Sequence, residues 1–197
     1  MQAYHRFHHT ETFATPIVDL IPPQSGSIIR LTSWVYTAAG TVHDLLFMRA
    51  LNQVETTAAA AAAATTIVLD SATFCGQTIA ANDYVVTENA DGTHTSHLVS
   101  ALATLTITVP SLAKAINSGA KVWIMGAPAD TSYHSTLKSI ASTRLELVDY
   151  LSGIAQGGFD DGTSYARTGT GDPVLLYSAN GTAAGILNRA SARYVGS

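Results

Sequence analysis

Seven histidines and fourteen carboxylates in a chain of 197 residues invite a search for metal and acid-base chemistry. His5, His8 and His9 crowd the N-terminal stretch, where a helix would put His5 and His9 on one face. No Asp stands nearby, and a segment without a rigid frame cannot hold a coordination geometry. His94 and His97 are three apart in strand-like text, so alternation sends them to opposite faces, and they read as surface positions of a hairpin. The nearest approach to a nucleophile elbow, Gly162-Thr163-Ser164-Tyr165-Ala166, sits in a loop and not on the strand-to-helix turn that exposes such a serine. The glycines at 153, 157, 158, 162, 169 and 171 precede no helix whose N-terminus would cradle a phosphate. Asp160-Asp161-Gly162 begins like a calcium loop but lacks the alternating oxygen ligands and the closing Glu. Cys75, the single cysteine, excludes an intramolecular disulfide and a cysteine-based zinc site, and reads as a small buried apolar residue. The expectation is a protein with no catalytic residue, no cofactor and no metal.

The elements that would have to position these groups are built from small, uncharged residues. Only 12% of the chain is charged, against roughly 25% in an average soluble domain, and the formal net charge is -4. Thirty-one residues are Ala, twenty-five are Thr, and Lys occurs three times, at 114, 121 and 138. Ten cations facing fourteen carboxylates, with no run of either sign, cannot form the basic stripe that releases counterions from a polyphosphate, so nucleic acid is excluded as a partner. No apolar run reaches the ~18 residues of a membrane span. The opening MQAYHRFHHTETF has neither the cationic start nor the apolar stretch of a secretory signal. A soluble chain used in the cytoplasm follows, leaving the cell only by lysis. The hydrophobic share of 47% suffices for a core, since a chain of this length can bury roughly 70% of its surface.

Along the chain, residues 1–24 show no sustained period and end in Ile21-Pro22-Pro23-Gln24, a step that continues neither a helix nor a central strand; they read as an extended arm. From Ser27, two β-branched and aromatic runs flank Ala38-Ala39-Gly40 and predict a hairpin. The run Thr56–Thr66, seven alanines between Thr pairs, reads as a low-complexity joint. Beyond it TTIVLDS, DYVVTE, HLVSAL, TLTITVP and KVWIMG recur with turn residues between, and Asn89-Ala90-Asp91-Gly92 supplies a tight reversal. This predicts a small antiparallel barrel or sandwich. Residues 131–156 fit a helical stripe and strand alternation equally. Residues 157–173 form a long Gly/Asp/Thr loop, and Asn180-Gly181 marks another hairpin. The predicted fold is mainly β: an arm over 1–24, an antiparallel base from 25–52 plus 127–197, and an inserted β-barrel or sandwich module over 53–126.

The stretch SIIRLTSWVYTAAGTVHDLLFMRAL, the Ala/Thr joint, NDYVVTENADGTHTSHLV, TLTITV, INSGAKVWIMG and the ending DPVLLYSANGTAAGIL resemble virion proteins of tailed bacteriophages, above all the head decoration or cement proteins. The resemblance covers most of 25–195 in style and carries over no catalytic residue. It implies a non-enzymatic structural protein on the virion head exterior, assembled in the host cytoplasm. It further implies a homo-oligomer, a trimer first, bound to the major capsid protein where capsid subunits meet, with an arm reaching neighbours. Tyr4, Phe7 and Phe13 are apolar groups that a free arm leaves in water; with Ile17, Pro22 and Pro23 they are the candidate capsid-binding residues. The alternative is a tail, fibre or receptor-binding module touching host glycan through the 157–173 loop.

Overall fold

The structure is a computed structural model that describes residues 4–7, 17–37, 43–130, 135–140, 145–149, 170–178 and 186–196. Within them the chain is mainly β, in antiparallel sheets, with no helix. It divides into two compact units: Met1–Arg49 with His134–Ser197, and Ala50–Tyr133.

The first unit holds β1 (Tyr4–Phe7), β2 (Ile17–Ile21), β3 (Ser27–Thr37) and β4 (His43–Arg49), followed after the second unit by β14 (Ser135–Ile140), β15 (Leu145–Asp149), β16 (Val174–Ser178) and β17 (Ile186–Gly196). One sheet runs β1-β17-β3-β15 and the other β14-β4-β16-β2. Leu46, Phe47 and Met48 are all buried, as are Val174, Leu175 and Leu176. Three consecutive buried residues mean that both faces of the strand are covered, which is why β4 and β16 read as continuous apolar runs and not as alternation.

Two expectations are corrected here, and one open alternative is settled. Residues 1–24 are not simply a free arm: β1 pairs with β17 from Tyr4 opposite Arg193, β2 pairs with β16, and Ile21 is fully buried. Pro22 and Pro23 end an edge strand, the place where a missing donor costs a sheet nothing. Ser25-Gly26 then turns the chain, with Gly26 at φ +70° and the Ser27 N–H donating to the Gln24 carbonyl at 3.1 Å. Second, β3 and β4 do not form a hairpin with each other; each is an inner strand of a different sheet, paired on both edges with strands distant in sequence. In the segment 131–156, where a helix and a strand fitted equally, the described residues form β14 and β15, paired with β4 and β3. The Asn180-Gly181 turn lies outside the described residues.

The second unit contains β5 (Asn52–Glu55), β6 (Thr66–Val68), β7 (Thr73–Phe74), β8 (Gln77–Thr78), β9 (Tyr84–Glu88), β10 (His94–Leu98), β11 (Ala101–Ala103), β12 (Thr106–Thr108) and β13 (Lys121–Gly126). Its sheets run β10-β9-β13-β5 and β11-β12-β6, joined by the isolated bridge Thr56–Leu69, with the small hairpin β7-β8 beside them. None closes into a barrel. Val54, Val85, Val122 and Ile124 of the first sheet share one buried cluster with Ile67 and Ile107 of the second, the arrangement of a sandwich. The incoming strand β5 and the outgoing strand β13 pair directly, from Lys121 opposite Glu55, and the Leu51 N–H donates to the Ile124 carbonyl at 2.8 Å.

The alanine run forms no helix. Ala60 is buried and exchanges both backbone bonds with Ile116 at 2.9 and 2.8 Å, while Ala58, Ala59, Ala61, Ala62 and Ala63 lie exposed. Seven alanines are too few to pay for helix nucleation in water, so long-range pairing takes the backbone.

Candidate functional site

The chemistry-bearing side chains of the second unit gather on the β9-β10 hairpin and the strand beside it. At its tip the Asn89 N–H donates to the Thr93 carbonyl at 2.7 Å, the Gly92 N–H to Asn89 at 2.9 Å, and Gly92 sits at φ +77°, so the tight reversal forms where the sequence placed it. Asp91 accepts from the Thr93 N–H at 3.0 Å and from Lys114 Nζ at 2.8 Å. The Lys114 ammonium beside it, with the Thr93 donors, holds the Asp91 carboxyl well below the usual carboxylate range. Asn89 is buried beneath the turn and donates Nδ2 to Thr93 Oγ1 at 3.0 Å and to Thr95 Oγ1 at 2.7 Å.

Alternation does send the two histidines to opposite faces of β10, but they are not both surface residues. His97 is 7% exposed, with Nε2 3.0 Å from Thr87 Oγ1. Its burial pushes its pKa down to about 4, so the ring is neutral near pH 7. It faces inward because it shares its side of the sheet with Val85 across the ladder. His94 is half-buried on the other side, its ring centroid 5.6 Å from that of Trp123 and tilted by 57°. Desolvation lowers its pKa, and Lys121 adds to the effect while Glu88 opposes it. Trp123 is buried with Nε1 unpaired. Asp83 is also buried; it accepts from the Ala80 N–H at 2.8 Å, and desolvation raises its pKa.

The outer side of the β11-β12-β6 sheet carries no charge. Register places Ala101, Thr108 and Thr66 in one row and Ala103, Thr106 and Val68 in the next, while Ile107 and Ile67 point into the core. Leu98 and Leu105 are the large apolar side chains exposed among the described residues, at 38% and 37%. Cys75 is exposed rather than buried, because it occupies the β7-β8 turn at φ +46°.

The six arm candidates are not brought together as one free segment. Tyr4 and Phe7 lie in β1 and Ile17 in β2, while Pro22 and Pro23 are half-buried just beyond β2. Phe13 and the 157–169 part of the Gly/Asp/Thr loop lie outside the described residues. Among the described residues no group of three His, Cys, Asp or Glu side chains is placed to hold a metal ion.

No family model matches the chain, and no curated protein matches it. Among solved structures, VP17, a capsid protein of bacteriophage P23-77, is a weak neighbour at 12% identity and a TM-score of 0.20, over 98% of this chain and 97% of its own. A score that low does not show a shared fold.

Proposed function

We propose that this protein is a non-enzymatic structural component of a tailed-phage virion, which binds the outside of an assembled head and stabilises it. The observation that carries the reading is the modular build. One unit weaves strands from before and after the second unit into its sheets, and that second unit, with its own core, is entered and left through the adjacent strands β5 and β13. The sequence resemblance to head decoration proteins points the same way. So does an exterior poor in charge: the Ala/Thr rows of β11-β12-β6 suit close contact that salt does not weaken. Stabilisation would follow from mass action, because a ligand that binds the assembled, expanded lattice deepens that state with every copy bound.

Co-sedimentation with purified empty heads tests this. The protein should pellet with expanded heads, stay in the supernatant with unassembled capsid protein, and raise the temperature at which the heads fall apart. Failure to pellet with any head form overturns it.

A further inference from the structure

We propose that two copies of this chain associate by antiparallel pairing of β10 with β10 of the second copy, about a two-fold axis through Ser96. The bonds flanking β10 fix which backbone groups face outward. Thr93 bonds inward to Asn89, and the Val99 N–H donates to the Asp83 carbonyl at 2.8 Å. Along an antiparallel ladder, residues 95 and 97 therefore also bond to β9, while His94, Ser96 and Leu98 turn their N–H and C=O groups to the outer edge. Among the described residues no strand pairs with that edge.

An open edge is a template for another strand, and proteins blunt such edges with charges, prolines or bulges. Every other edge strand of four or more residues here carries a charge: Arg6 in β1, Asp19 in β2, Glu55 in β5, Lys138 in β14, and Glu146 with Asp149 in β15. β14 also carries a register shift, and β5 is further engaged by Asp70, whose N–H donates to the Glu55 carbonyl at 2.9 Å. β10, with the sequence HTSHL, has no Asp, Glu, Lys, Arg or Pro, and its ladder with β9 runs without a shift.

The edge is also self-complementary. With the axis at Ser96, the two Ser96 residues exchange both backbone bonds, and His94 of each copy faces Leu98 of the other. No like charges meet, and the exposed Leu98 gains the ring of His94 as its cross-strand neighbour. This two-fold contact differs from the three-fold association that the resemblance implies, and it does not depend on capsid binding.

Sedimentation velocity of the full chain tests the contact. The expected species has twice the monomer mass. Ser96→Pro deletes the central outward donor without touching the bonds to β9, and Leu98→Lys charges the edge at an exposed position; each should raise the dissociation constant at least tenfold, whereas Ser96→Ala should leave it unchanged. In a Cys75→Ser background, Ser96→Cys should oxidise to a covalent dimer, because directly opposed bonded residues stand about 5.5 Å apart between Cα atoms, within disulfide reach. Should Ser96→Pro fail to fold, Leu98→Lys and the cross-link decide. A monomer up to about 100 μM, an association weaker than about -5.5 kcal/mol, overturns the proposal. So does an oligomer that Leu98→Lys leaves intact and that gives no cross-link.

Discussion

His97 makes stability depend on pH in a definite direction. Its pKa falls from an ordinary 6.5 to about 4 on folding, so the unfolded chain binds more protons between those values. Its contribution is complete above pH 6.5 and is lost as pH falls towards 4, by at most about 3 kcal/mol. His94 acts in the same sense and Asp83, with its raised pKa, in the opposite one. Urea midpoints at pH 7 and pH 4.5 should differ less in His97→Gln, which keeps a hydrogen-bonding group towards Thr87 but does not titrate. At the hairpin tip, Asp91 bonds to the turn backbone as well as to Lys114, whereas Lys114 reaches side chains alone, in an exposed ion pair and a bond to Thr93 Oγ1 at 2.9 Å. Asp91→Ala should therefore lower the melting temperature more than Lys114→Ala, and 0.5 M salt, whose Debye length is about 4 Å, should shrink the Lys114 effect. The three-residue spacing made the opposite faces of His94 and His97 legible. Which face is buried depends on β13 and the second sheet, partners that the local sequence does not name.

At the scale of the element, turn chemistry could be read from the sequence and strand partnership could not. Asn89-Ala90-Asp91-Gly92 made its turn because the reversal closes through local bonds among Asn89, Asp91, Gly92 and Thr93 and the left-handed freedom of Gly92. Ala38-Ala39-Gly40 signalled a reversal too, yet β3 found its neighbours some 110 and 160 positions later in β15 and β17, beyond the reach of any local pattern. The alanine run teaches the same lesson with the sign reversed, since intrinsic helix preference lost to bonds with Ile116 and Leu112. It also yields a prediction. Ala63 lies at φ +69°, where a Cβ is penalised by about 1–2 kcal/mol, whereas Ala60 makes regular bridge contacts and is buried. Ala63→Gly should be neutral or stabilising and Ala60→Gly destabilising by about 0.5–1 kcal/mol, as read from urea unfolding.

For the molecule as a whole, the buried cluster from Val54 to Ile124 is drawn entirely from the second unit. Residues 50–133 expressed alone should therefore melt cooperatively and give a dispersed amide spectrum; a broad, non-cooperative transition would mean that this core needs the rest of the chain. The first unit has the contrary property, with consequences for the order of events during synthesis. Its long strand β3 is complete once residue 37 has been made, but its partner β17 begins at residue 186. As the chain leaves the ribosome, residues 50–133 can condense around their own core while β1 and β3 wait for β17 to arrive. Until that strand pairs, the long inner edge of β3 stays open, so the interval between the synthesis of β3 and that of β17 is when a nascent chain is most exposed to pairing with the wrong neighbour on a crowded polysome.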